Sequence, residues 1–232
     1  MNRSDVYRTI NVVRNVKRYT EGEGRDKGRH PDERYASFDY CFNYFQSFRE
    51  QDRIGELCCP DRIHESCLQL GFYLASWGML RASSFLLNKS ARFYVPLLET
   101  VVRLDRRLWE IDVNSYTDEN TRLLLEARVA IRAALGGETS VSDTLVSKIM
   151  LGIFGNVPAF DRFVRKGLRV NGFTRTSIAA VAEFYDYHRD VVDSCAASIR
   201  TLDFRTGNET GRHYTRAKIV DMAAVIEGRA PR

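Results

Sequence analysis

Between Asp143 and Asp161 this chain carries a single charge, Lys148, although 28% of its residues are Asp, Glu, Lys or Arg. The stretch "KIMLGIFGNVPAFDR" thus sets one amine in an apolar run and follows it, after a Gly-Asn-Val-Pro break, with one carboxylate. Burial disfavours the charged form of a lysine, so a partly desolvated Lys148 is expected to lose proton affinity. An amine in that state is a nucleophile towards an electrophilic carbon such as a sugar C1′. Asp161 follows Pro158 by three, which places it in the first turn of the next helix, where the dipole and free N–H groups stabilise a carboxylate. Each residue also has an ordinary use, the lysine as a packed stem with a solvated head and the aspartate as a helix-opening acid. Together they are the candidate catalytic pair.

The elements around the pair follow from helical spacing. Leu145, Val146, Ile149, Met150 and Ile153 make a broad stripe, and Leu151 and Phe154 lie outside it, so the helix over about 141–154 wants apolar contacts nearly all round. Lys148 sits off that stripe, beside Thr144, Gly152 and Gly155, small residues that leave space above it. Directly after Asp161, "DRFVRKGLRVNGFTR" puts Arg162, Arg165, Lys166 and Arg169 three to four apart, a stripe suited to phosphates. The alternative for that stripe is a solvated helix face. "YASFDYCFNYFQSF" holds Tyr35, Phe38, Phe42 and Phe45 at core spacing, with Tyr40 and Tyr44 on a second ridge that could stack on an extruded base. Trp77, between Ser76 and Gly78 at a helix break, is a rival stacking residue.

"SKIMLGIFGNVPAFD" resembles the segment of helix-hairpin-helix DNA glycosylases in which a lysine opens a buried helix and a "VP-x-D"-like stretch supplies the catalytic aspartate. The resemblance implies Lys148 as nucleophile and Asp161 as the catalytic carboxylate. Asn156 and the basic stripe are expected on DNA. It covers about 15 residues strongly and 117–170 loosely. The family's "L-P-G-V-G" hairpin is absent, "LGGETSVSDTLVSK" standing in its place, and the lysine-to-aspartate spacing is shorter. What it implies is excision of a damaged or modified base from double-stranded DNA by cleavage of the N-glycosidic bond. A lyase step would follow where the lysine attacks. Bulky modified bases of phage DNA are among the substrates to expect. The rival expectation is a non-catalytic helical module that binds nucleic acid or protein and needs neither residue.

Composition sets the frame. The chain has 232 residues, a net charge of +5 and a pI near 9.0, which suits an anionic partner such as nucleic acid. No run of ~18 apolar residues occurs, so no membrane span is expected. The first residues lack a secretory pattern, so the protein is expected in the cytoplasm. Five cysteines (Cys41, Cys58, Cys59, Cys67 and Cys195) have no repeated spacing and suit reduced thiols. "CCPDRIHESC" lacks the spacing of a zinc site, and neither a metal nor a cofactor is expected. Nucleotide-binding loops and the serine- and zinc-hydrolase motifs are missing.

Helical periodicity runs throughout, without convincing strand alternation, so the predicted fold is all-α, with about ten helices similar to the glycosylase fold. They are expected near 4–19, 33–50, 61–77, 81–89, 91–110, 117–135, 141–154, 158–168, 174–202 and 213–227. The chain is read as one globular domain, with lobes dividing near 112–113. A charged, glycine-rich loop at about 20–32 reads as mobile.

Overall fold

The apolar stripe of residues 145–153 is buried, and so are Leu151 and Phe154 on the opposite side, which puts the helix that carries Lys148 in the interior. In the computed structural model, which describes residues 3–81, 84–136 and 141–230, it is the seventh of eleven α-helices. They are α1 (Arg3–Thr9), α2 (Val12–Glu21), α3 (Ala36–Glu50), α4 (Ile63–Ser76), α5 (Val95–Val101) and α6 (Asp118–Ala134), then α7 (Asp143–Phe154), α8 (Arg162–Leu168), α9 (Arg175–Tyr187), α10 (Arg189–Ser198) and α11 (Arg216–Arg229). The fold is all-α, with one small hairpin of β1 (Arg200–Leu202) and β2 (Glu209–His213). No described helix is long and apolar enough to cross a membrane.

Several boundaries depart from sequence expectation, each for a local reason. The first helix divides because the Asn11 side chain accepts the Arg14 N–H and caps a new start at Val12. Residues 91–110 hold only a short α5, with Pro96 in its first turn and 3-10 turns on either side. The expected helix over 81–89 is a 3-10 turn at Phe85–Asn88. The long helix over 174–202 breaks at His188 and ends at Ser198, and its last three residues pair with β2. The sequence also offers Ser4 as the cap of the first helix and Gly136-Gly137 as the stop of the helix over 117–135; the Ser4 side chain and Gly137 lie outside the described residues.

α11 is the second interior helix. Residues 217–226 are all buried, and it lies against α8 so closely that a Cβ on Gly167 would collide with the Ala224 carbonyl, and one on Gly228 with that of Phe163. α7 and α11 both line the space where the candidate pair meets. The glycine-rich loop before α3 is tied in by Arg29, which donates to Asp39 and to the Arg200 carbonyl.

Candidate active site

The turn between α7 and α8 sets the aspartate. Gly155 takes a left-handed conformation (φ 68°) and caps α7, its N–H reaching the Leu151 carbonyl at 2.9 Å. The chain then runs through Val157-Pro158 without helix, so α8 starts four residues later than Pro158 suggests. Asp161 is therefore the N-cap of α8 and not a first-turn residue. Its Oδ1 accepts the N–H groups of Phe163 (2.9 Å) and Val164 (3.1 Å). That grip turns the second oxygen, Oδ2, towards Lys148 Nζ at 3.7 Å.

Lys148 is buried at 5% exposure and donates to the Trp77 carbonyl at 2.9 Å. Its ammonium lies 5.6 Å from the centre of the Trp77 ring. Burial presses the Lys148 pKa below its ordinary value, and Asp161 pulls against that shift. The space expected above the lysine is occupied, because a Cβ on Gly152 would strike the Tyr73 ring. What is left is a cavity of about 10 Å³ lined by Tyr73, Trp77, Lys148, Asp161, Lys218 and Asp221, among others. That volume matches one water molecule, for which ~10–15 Å³ is needed.

Trp77 thus joins the pair, as the sequence allowed. It ends α4, packs near Tyr35 and Tyr19 with ring centres 5.4 and 6.3 Å away, and its buried Nε1 has no hydrogen-bond partner among the described residues. Arg34 covers the same ring at 5.7 Å. Tyr40 and Tyr44 stand elsewhere. Tyr40 donates to the Pro31 carbonyl and faces a separate open cleft of about 610 Å³ with the exposed Phe72 and Phe204. Tyr44 shares a hydrogen bond of 2.8 Å with Ser66 and packs on Phe45 and Phe48.

Arg162, Arg165, Lys166 and Arg169 are all exposed, and none is ion-paired among the described residues. The first three lie on α8, and Arg169 caps its end in a left-handed conformation (φ 54°). Asn156, by contrast, is fully buried and donates to the Leu108 carbonyl at 2.9 Å, so it belongs to the interior and not to the basic surface.

Sequence reasoning missed Lys218 and Asp221, which line the same cavity from α11. The signal was available: "AKIVDMAAVI" places two charges three apart in an apolar run, the pattern that singled out Lys148. Comparison with models of protein families, with curated proteins and with solved structures gives no match.

Proposed function

We propose that this chain is a DNA N-glycosylase that works in the cytoplasm on double-stranded DNA, with Lys148 and Asp161 as its catalytic residues. One observation carries the reading: a desolvated lysine and an oriented carboxylate, thirteen positions apart in sequence, stand 3.7 Å from each other at the start of a helix whose basic side chains are exposed. A flipped nucleotide would reach them by displacing the Trp77 ring, since the cavity admits no base while that ring is in place. The exposed cations of α8, which begins at Asp161, would hold the flanking phosphates.

Two chemical routes fit the pair. In one, the Lys148 amine attacks C1′ and forms a C–N bond as the N-glycosidic bond breaks. The bonding electrons leave with the base, which takes up a proton, and the amine's proton passes to Asp161 or water. In the other, water is the nucleophile, Asp161 stabilises the positive charge that develops on the sugar, and Lys148 orients the base. Damaged bases and the hypermodified bases of phage DNA are both substrates of this chemistry, and the second would make the protein an antiviral defence.

The test is incubation with duplexes carrying oxidised, alkylated, deaminated and naturally hypermodified bases. Abasic sites should accumulate on at least one of them, and borohydride should trap a protein–DNA adduct if Lys148 attacks. If no duplex gives abasic sites above a protein-free control, the reading falls. Salt-dependent binding through α8 would then stand alone, as in a non-catalytic nucleic-acid module.

A further inference from the structure

Lys148 shares its cavity with a second lysine. Lys218 and Asp221 of α11 are 1% and 3% exposed, with Nζ and Oδ2 2.9 Å apart. Lys218 also donates to the Tyr19 hydroxyl at 2.9 Å, and its ammonium lies 5.2 Å from the Trp77 ring centre, over the same indole that Lys148 faces. Asp221 accepts the Ala159 N–H at 3.0 Å through Oδ1, which fixes the turn two residues before Asp161. α11 therefore brings a second carboxylate to the space around the Lys148 amine, and Lys218 already holds it.

A free buried carboxylate there would draw a proton onto Lys148 and end its use as a nucleophile. We propose that Lys218 is a positioning residue for Lys148: by engaging Asp221, it blunts the pull of that carboxylate on Lys148, so that the amine stays available for attack. The purpose of this arrangement rests on the glycosylase reading, whereas the arrangement itself does not. The groups facing Lys148 are Asp161 from the turn before α8, Lys218 and Asp221 from α11, and Tyr73 and Trp77 from α4, while Tyr19 of α2 reaches Lys218. Farther along α7, α3 brings Cys41 against Gly152, and α6 brings Arg128 and Arg132, both held on Asp143. Around Lys148, burial lowers its proton affinity, Asp161 and Asp221 raise it, and Lys218 lowers it by less than Asp221 raises it.

The experiment is an NMR titration of the Lys148 side chain in the full chain with isotope-labelled lysine. In Lys218→Met the freed Asp221 should raise the Lys148 midpoint by about one pH unit, a roughly tenfold loss of free amine at a given pH. Lys218→Arg, which keeps the charge, should leave the midpoint at the wild-type value. The double variant Lys218→Met/Asp221→Asn retains an acceptor for Ala159 and leaves no unpaired charge, so it is the second test should the single variant fail to fold. Its midpoint should fall below wild type, because the stronger influence, that of Asp221, has been removed. Any other pattern among these variants overturns the proposal. No DNA enters the measurement, so its failure is distinct from a failure of base excision.

Discussion

At the residue scale, Asp161 has two separable tasks. One oxygen caps α8, and the other faces Lys148. Asparagine caps helices as well as aspartate does, whereas alanine leaves the α8 N–H groups unpaired. Asp161→Ala is therefore expected to cost about 1 kcal/mol in denaturant unfolding, and Asp161→Asn much less. Equal losses in the two variants would mean that the charge facing Lys148, and not the cap, holds the turn. The separation of amine from acid was legible in the sequence, because one charge in an apolar run is conspicuous. The cap was not, because Pro158 is an equally good helix opener and only the backbone path shows that the helix waits until Asp161.

At the element scale, two interfaces make predictions. Asp39, buried on α3, accepts from Arg29 of the preceding loop, from the Leu202 N–H of β1 and from Tyr214 before α11. Burial pushes its pKa up to about 6, against the pull of Tyr214 and Arg29. With the folded value above the unfolded one of about 3.8, the stabilisation from protonated Asp39 is full below pH ~4 and lost as pH rises through 6. Relative to Asp39→Asn, the wild type should thus gain on the order of 2 kcal/mol in unfolding free energy between pH 7 and pH 4. A constant difference across that range would contradict the assignment. α8 supplies the other interface. Reversing the charge of Arg162 and Arg165 should weaken DNA binding and flatten its salt dependence by about two counterions' worth. Unchanged affinity and slope in a folded variant would make α8 a solvated face only. Helix α11 was legible as a helix, and its two charges in an apolar run mark it as an interior one, but the sequence alone does not show that Lys218 and Asp221 pair with each other beside Lys148.

At the scale of the whole molecule, the helical class follows from spacing alone, while the meeting of distant elements does not. Trp77 of α4 reaches Lys148 of α7 and Lys218 of α11 through contacts that local spacing does not encode. The expected space above Lys148 shows the same limit: Gly152 is small, as the sequence says, but Tyr73 uses the room. Gly152→Ala is accordingly expected to destabilise the protein by ~1–3 kcal/mol, the range for overpacking a filled interior, and a neutral effect would mean that Tyr73 yields freely. The hairpin of β1 and β2 escaped notice because its strands are short and lack apolar alternation.

The central claim is that Lys148 and Asp161 excise a base, and it is tested most directly by the single-turnover rate of abasic-site formation. The comparison is between wild type and Asp161→Asn, on whichever duplex of the substrate panel the wild type cleaves best. Asparagine keeps the cap and the fold and removes only the charge that would stabilise the transition state. The account predicts a loss of ~10²–10³-fold with DNA affinity retained, the usual effect of deleting one such group. A folded Asp161→Asn protein that binds DNA and excises at the wild-type rate would reduce "VPAFD" to the start of a helix and contradict the assignment.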